Sequence, residues 1–214
     1  MSATNFVVGV GGRARSGKDT LGGYLLERLN AIGELGRWER RKFAAPIKRI
    51  FMDVFGVDEN FLETWKTLNE APPGFQMPVR PCLTVIGDGF RHMKPTVWID
   101  KLFRELHKTH ALITDVRYLN EMQTIRRSGG VIILLHRSAT ADVVPDPSEQ
   151  EMIPLIRRLL DLGAEGPVRR DDVPCDYFLT NEGSINDLLR KAAEAIVPDL
   201  IKRVRGQLSG GPNS

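Results

Sequence analysis

The nine residues Gly12-Arg13-Ala14-Arg15-Ser16-Gly17-Lys18-Asp19-Thr20 decide the fold of this chain. An apolar, β-branched run at residues 6–10 precedes them, which predicts a buried strand. Leu21, Leu25 and Leu29 follow at helical spacing. A strand, a glycine-rich turn and a helix N-terminus form the context that the Gly-x4-Gly-Lys phosphate-binding motif requires. We therefore predict that residues 12–20 form a phosphate-binding loop, which we call the phosphate loop.

The phosphate loop offers several sources of positive charge to a bound anion. Its glycines allow backbone N–H groups to converge on phosphate oxygens, and the helix that follows adds the partial positive charge of its N-terminus. Lys18 adds a full charge that can reach the β- and γ-phosphates of a nucleotide. A glycine turn with a surface lysine is the alternative interpretation, but it leaves the flanking strand and helix unexplained.

Asp19 stands where this motif usually has Ser or Thr, whose hydroxyl binds Mg²⁺, and Thr20 follows it. A carboxylate is also a hard oxygen ligand for Mg²⁺, directly or through water, although Asp19 is equally favourable as a charge in the first turn of a helix. Asp115 ends a later apolar run, at the point where a phosphate-loop enzyme places its second metal-side carboxylate. The sequence therefore predicts Asp19, Thr20 and Asp115 as metal ligands.

Four more strand-like runs alternate with helical patterns, which predicts a doubly wound α/β sheet. These runs occupy residues 38–43, 111–114, 131–135 and 177–180. Several helical patterns separate the second strand from the third, so residues 46–108 form a long insertion suited to substrate binding. Residues 138–173 are polar, proline-rich and arginine-bearing, and indicate either a mobile lid over the phosphates or a solvated surface helix. Residues 206–214 are rich in Gly, Ser and Pro, which predicts a flexible tail.

Composition and charge argue against several classes of protein. The net charge of +3 is mild, so the handling of anionic small molecules fits better than nucleic-acid binding. No apolar run approaches the roughly 18 residues of a membrane span. Cys82 and Cys175 are far apart and suggest neither a disulfide framework nor a zinc site. Because the N-terminus also lacks the features of a signal peptide, we expect a cytoplasmic protein with one domain, or one domain with an inserted lobe.

Six segments together resemble the deoxynucleoside monophosphate kinases of tailed phages. They are the phosphate loop, Phe43-Ala44-Ala45-Pro46-Ile47-Lys48, Ile86-Gly87-Asp88 with Arg91 and Trp98, Thr114-Asp115-Val116-Arg117 with Asn120-Glu121, Pro147-Ser148-Glu149, and Asp176-Tyr177 through Asn181-Glu182-Gly183-Ser184. The resemblance implies the adenylate-kinase-like P-loop fold, with three α/β/α layers around a parallel five-stranded sheet in the order 2-3-1-4-5. It also implies transfer of the γ-phosphate of ATP to a deoxynucleoside 5′-monophosphate (dNMP) of the dTMP, dGMP or dCMP type, with Mg²⁺.

The resemblance further implies roles for individual residues. The phosphate loop would hold the ATP phosphates and the metal, and Asn181 would lie beside adenine. The catalytic positions would be Lys18, Arg15, Asp115, Arg117 and Arg137. The positions on the acceptor side and in the lid would be Lys48, Asp88, Arg91, Trp98, Arg117, Glu149, Arg169 and Arg170.

Three alternatives share parts of this pattern. A different small-molecule kinase of the same fold, of the dephospho-coenzyme A or phosphomevalonate type, would carry a similar loop. A nucleotide-dependent binding switch would hydrolyse ATP slowly and without an acceptor. A nucleic-acid-binding ATPase is disfavoured by the mild charge and by the lack of a basic tract with interleaved aromatics. We expect no stable nucleic-acid binding and no membrane association. If the protein is encoded by a phage, we expect it in the cytoplasm of the host cell. The sequence does not decide whether it forms a homodimer.

Overall fold

The computed structural model describes residues 5–106, 109–140, 149–169 and 173–209. The strands are β1 (Val7–Gly12), β2 (Trp38–Arg41), β3 (His110–Val116), β4 (Val131–His136), β5 (Gly166–Pro167) and β6 (Tyr177–Thr180). The helices are α1 (Lys18–Asn30), α2 (Ala45–Phe55), α3 (Glu59–Thr67), α4 (Val79–Met93), α5 (Val97–Glu105), α6 (Leu119–Arg127), α7 (Met152–Asp161), α8 (Ile185–Ala195) and α9 (Val197–Ser209). Single 3₁₀ turns lie at Gly33–Leu35 and Ser138–Thr140.

The described strands form one sheet in the order β2-β3-β1-β4-β6-β5. The prediction of a purely parallel sheet of five strands is wrong, because the sheet has six strands and β5 runs antiparallel to β6. The five strands that the sequence predicted are parallel neighbours in the order β2-β3-β1-β4-β6. The sequence gives no signal for β5, because two residues, Gly166 and Pro167, are too short to show an alternating pattern.

Strand β1 lies at the centre of the sheet, between β3 and β4, and all of its residues are buried. Gly9 permits this packing, because a Cβ atom there would lie 2.7 Å from Cδ1 of Ile132. Leu21, Leu25 and Leu29 of α1 are fully buried in the same core cluster as β1. The chain therefore enters the phosphate loop from a rigid strand and leaves it into a packed helix.

The described chain divides into two compact units. The first, which we call the sheet unit, holds the residues up to Arg41 and from Arg104 onwards; the second, which we call the helical unit, runs from Lys42 to Phe103. The helical unit contains α2, α3, α4 and most of α5, and its own core centres on Phe51, Leu62 and Val79. Each unit thus has its own set of buried apolar side chains.

The C-terminal helix α9 extends beyond the start of the predicted flexible tail. That prediction is wrong for residues 206–209, because α9 continues through Gly206 to Ser209. Leu200 and Val204 are buried in the core of the sheet unit, and this burial outweighs the cost of a glycine inside a helix, about 1 kcal/mol. Residues 210–214 lie outside the described residues.

Among the described residues, no helix combines the length and the apolar character needed to cross a membrane.

Candidate functional site

The phosphate loop connects the end of β1 to the first turn of α1, and its backbone requires glycine at two positions. Gly12 has φ 142° and Gly17 has φ 103°, values that other residues rarely adopt. A side chain at Gly12 would collide with the carbonyl oxygen of Leu135. Arg15 adopts a left-handed conformation, φ 61°, without being glycine. Such strained backbone concentrates at ligand-binding sites, so the loop has the conformation of a binding element.

Lys18 is the buried cation of this loop. Its Nζ donates a hydrogen bond to the carbonyl oxygen of Arg13 at 2.5 Å, so the side chain folds back over the loop. Burial, and secondly the charge of Arg117, lower the pKa of Lys18 to about 8, whereas the charges of three acids oppose this shift. These acids are Glu149, Asp19 and Asp115. The amine therefore stays mostly protonated at neutral pH and remains a cation for a bound phosphate.

The two predicted metal carboxylates lie on neighbouring elements of the sheet unit. Asp19 is mostly exposed and accepts a hydrogen bond from Thr114 Oγ1 at 3.2 Å, while Asp115 is half-buried at the end of β3. Thr20 is exposed in α1. No group of three or more His, Cys, Asp or Glu side chains that could hold a metal occurs in the part of the chain that the structure describes. Two carboxylates and a hydroxyl fit Mg²⁺, which usually keeps waters and substrate oxygens in its ligand shell.

Asn181 follows β6 and supports the phosphate loop from the side. Its Nδ2 donates to the carbonyl oxygen of Ser16 at 3.0 Å, and its backbone N–H donates to His136 O at 2.8 Å. A Cβ atom at Gly17 would lie 2.7 Å from the same Nδ2. The structure therefore gives Asn181 a supporting contact with the loop, and its predicted place beside adenine stays a prediction.

Glu149, predicted as part of the lid, is buried against the phosphate loop. Its Oε1 accepts a hydrogen bond from the backbone N–H of Ala14 at 2.9 Å. Two guanidinium groups flank it, with Arg13 Nε at 4.0 Å from Oε2 and Arg117 Nη1 at 3.9 Å from Oε1. The side chain of Glu149 is only 2% exposed. Burial of a carboxylate costs free energy unless hydrogen-bond donors and opposite charges compensate for the lost water, and these three groups do so here.

The remaining predicted arginines of the sheet unit lie at the surface wherever the structure describes them. Arg15, Arg137 and Arg169 are exposed. Arg170 lies outside the described residues, as do residues 141–148 of the predicted lid. The structure thus gathers Lys18, Asp115 and Arg117 with the loop, while the roles predicted for the exposed arginines stay predictions.

In the helical unit, Lys48 belongs to a cluster that the sequence did not predict. Lys48 of α2 donates to Glu63 of α3, and Lys66 donates to the same carboxylate at 2.6 Å. These hydrogen bonds, that of Lys48 first, lower the pKa of Glu63 to about 2. Because residues 48 and 63 are far apart in sequence, no local pattern could reveal their contact.

The other predicted acceptor residues lie on α4 and α5 of the helical unit. Arg91 Nη1 pairs with Asp88 Oδ1 at 3.2 Å, one turn apart on α4. Trp98 is buried, and its indole N–H donates to the carbonyl oxygen of Gly87 at 3.1 Å. The contact of Trp98 with α4 is a packing contact, since its ring also packs on Phe90 with centroids 5.3 Å apart. Binding of an acceptor by these residues stays a prediction.

Comparison with known proteins supports the resemblance found in the sequence. No family model matches the chain. The chain is 26% identical over 168 residues to a protein of Acanthamoeba polyphaga mimivirus named "Putative deoxynucleotide monophosphate kinase". This similarity covers 68% of the chain and 81% of the viral protein. The predicted resemblance to deoxynucleoside monophosphate kinases is therefore confirmed, and it supports the prediction of a phosphotransferase.

Two solved kinase structures are similar over most of their length. Shikimate kinase from Acinetobacter baumannii is 17% identical, with a TM-score of 0.46 and coverage of 92% of this chain and 96% of that one. Thymidylate kinase from Candida albicans is 11% identical, with a TM-score of 0.47 and coverage of 95% of both chains. Both TM-scores are low, so neither structure adds to what the strand order already shows.

Proposed function

We propose that this protein is an ATP-dependent dNMP kinase that produces a deoxynucleoside diphosphate and ADP. The observation that carries the proposal is the buried Lys18 in a strained, glycine-dependent loop between a central strand and a helix N-terminus. That arrangement suits the binding of nucleotide phosphates. The similarity to the viral protein named as a deoxynucleotide monophosphate kinase supports the choice of acceptor.

The proposed reaction breaks the bond between the γ-phosphorus of ATP and the β–γ bridging oxygen. A 5′-phosphate oxygen of the dNMP forms the new bond, and ADP leaves with the bridging oxygen. Phosphoryl transfer needs little covalent help from a protein, so positioned positive charge is the main requirement. Lys18 and the loop amides would hold the β- and γ-phosphates, and Arg117 would stabilise charge on the transferred group.

Two further groups complete the proposal. Bound Mg²⁺ would neutralise charge on the β- and γ-phosphates, and Asp19, Thr20 and Asp115 are the residues that would hold it. In the helical unit, Arg91 is proposed to bind the acceptor phosphate, because a guanidinium matches phosphate oxygens with two parallel N–H donors. Asp88, which pairs with Arg91, would orient it. In a phage, the product would supply DNA synthesis in the host cytoplasm.

The proposal is tested by a coupled assay of ADP release with ATP, Mg²⁺ and a panel of acceptors. The panel contains dTMP, dGMP, dCMP, dAMP and their ribose counterparts, together with dephospho-coenzyme A and phosphomevalonate. Turnover that depends on one or more deoxynucleotides is the expected result. Turnover with either of the last two acceptors alone would assign a different small-molecule kinase. Slow ATP hydrolysis that no acceptor accelerates would contradict the kinase assignment and indicate a binding switch.

A further inference from the structure

Glu149 is an acid among the cations of the phosphate loop. A carboxylate beside a phosphate-binding loop opposes the binding of a nucleotide, because both are anions. Yet Glu149 is buried, accepts a hydrogen bond from a loop amide and has two arginines within 4.0 Å. Its place therefore requires an explanation beyond ligand binding.

The contacts of Glu149 connect elements that are distant in sequence. Its Oε1 accepts from Ala14 N in the loop after β1 and lies 3.9 Å from Arg117, which follows β3. The backbone of Arg117 is fixed separately, since its N–H donates to Glu121 at 2.8 Å. The side chain of Arg117 is long and flexible, and the buried carboxylate of Glu149 is a counter-charge that restricts it.

We infer that Glu149 is a positioning residue of the proposed kinase site, which holds Arg117 and the first half of the phosphate loop in the geometry needed for phosphoryl transfer. This inference rests on the proposed function. It replaces the role in substrate binding that the family resemblance implies for Glu149. The carboxylate acts through Ala14 and Arg117 and does not itself touch the substrate.

The inference predicts opposite effects on binding and on turnover. Removal of the carboxylate charge eliminates a repulsion of the bound triphosphate, so ATP should bind as tightly as before or more tightly. The same change releases Arg117, whose misplacement by about 1 Å can cost about 100-fold in rate. A residue with a purely structural role would instead weaken binding, turnover and thermal stability together.

The test compares Glu149→Gln and Glu149→Ala with the unaltered protein. Gln can still accept from Ala14 N but lacks the charge, whereas Ala loses both contacts. We expect kcat to fall about tenfold in Glu149→Gln and about 100-fold in Glu149→Ala, with a Kd for ATP that is unchanged or lower. Glu151→Gln is the matched control, because Glu151 is exposed, two residues away, and caps α6 through Leu119 N at 2.7 Å. It should leave kcat unchanged.

Two results would overturn the inference. One is a kcat within twofold of that of the unaltered protein in both Glu149 variants. If these variants also bound ATP more tightly, the only effect of Glu149 would be to repel the bound phosphates. The other is a higher Kd for ATP together with a lower Tm, because Glu149 would then have a purely structural role.

A double-mutant cycle on thermal stability separates this inference from the proposed function, because it needs neither ATP nor turnover. The cycle combines Glu149→Gln with Arg117→Gln. Non-additive effects on the free energy of unfolding would support the contact between Glu149 and Arg117 even if no acceptor in the panel were phosphorylated. Additive effects would overturn the inference, whatever the acceptor assay shows.

Discussion

The cations of the two units are held in different ways, although both are proposed to bind phosphate groups. In the sheet unit, the amine of Lys18 is buried and donates to a backbone carbonyl, while acids act on it at longer range. In the helical unit, Lys48 and Arg91 each pair directly with a carboxylate of the same unit. Under the proposed function, a nucleotide therefore meets a loop whose backbone already has the conformation for phosphate binding. If Lys48 and Arg91 bind the acceptor phosphate as proposed, that phosphate has to compete with Glu63 or Asp88 for them.

Because the cation of the sheet unit is buried and preorganised, we expect the largest loss of activity when it is removed. Lys18→Ala should lower kcat about 1000-fold, because a preorganised charge at the transferred phosphate is lost from a buried position. The measurement is the ADP-release assay with the best acceptor of the panel, accompanied by circular dichroism to verify the fold. Lys202→Ala, at an exposed position of α9, is the control and should retain full activity. A Lys18→Ala protein that keeps most of its kcat would show that the loop does not hold the reacting phosphates.

The next largest effect tests the helical unit. Arg91→Ala should raise the KM for the monophosphate roughly 30-fold while changing the KM for ATP little, because a charged hydrogen bond to phosphate is worth about 2 kcal/mol. Initial rates with each substrate varied in turn give the two values. Arg80→Ala is the matched control on the same helix, since Arg80 is exposed and donates to Lys66 O at 3.0 Å. Equal losses for both substrates would remove Arg91 from the acceptor site.

The two units also differ in how much of their candidate site could be predicted from the sequence. The phosphate loop is contiguous, and each of its features has a local cause: the glycines at positive φ, the preceding strand and the following helix. The family resemblance implied roles for Arg117, Arg137 and Asn181. These residues follow the parallel strands β3, β4 and β6, whose carboxyl ends lie at one edge of the sheet. The helical unit offers no such rule, so the contact of Lys48 with Glu63 could not be predicted from their sequence positions.

The fold, too, could be predicted only where the signal is local in sequence. Five strands and their parallel order agree with the expectation. Strands β1, β3, β4 and β6 each bury a row of apolar side chains, whereas β2 buries only Trp38. Strand β5 has two residues and depends on the tertiary contact with β6. Helix α9 runs into a Gly/Ser-rich segment because Leu200 and Val204 are buried, and composition alone does not reveal burial. The burial of Glu149 likewise depends on a contact with Ala14, a residue far away in sequence.

A smaller effect in the sheet unit tests the role of Asn181. The test distinguishes support of the phosphate loop from contact with the adenine base. Asn181→Ala removes the hydrogen bond to Ser16 O, a neutral bond worth about 1 kcal/mol. If GTP can replace ATP as donor, we expect the KM for both nucleotides to rise about fivefold alike, because the same loop would bind the phosphates of either one. Steady-state rates with the two donors measure this. A rise confined to ATP would assign Asn181 to adenine recognition instead.

The smallest expected effect is a change of stability with pH, which we expect in the sheet unit and not in the helical unit. His110 of β3 is buried, its Nδ1 accepts from the backbone N–H of Phe6 at 2.8 Å, and its ring packs on Trp38. Burial lowers the pKa of His110 below its usual 6.5, while a backbone hydrogen bond with Leu35 opposes this shift. The unfolded chain therefore binds more protons than the folded one, so stability is present above pH 6.5 and is lost as the pH falls below it. Glu63 of the helical unit stays ionised down to about pH 2.

Thermal unfolding between pH 8 and pH 5 measures this difference, together with amide hydrogen exchange in each unit. We expect a lower Tm at pH 5 and weaker protection in β1 and β3, whereas α2 and α3 keep their protection. His110→Asn should flatten the dependence of Tm on pH, because the Asn oxygen can accept from Phe6 N without taking up a proton. A dependence that survives this substitution would place the titrating group elsewhere. Equal loss of protection in α2 and α3 would show that acid acts on both units together.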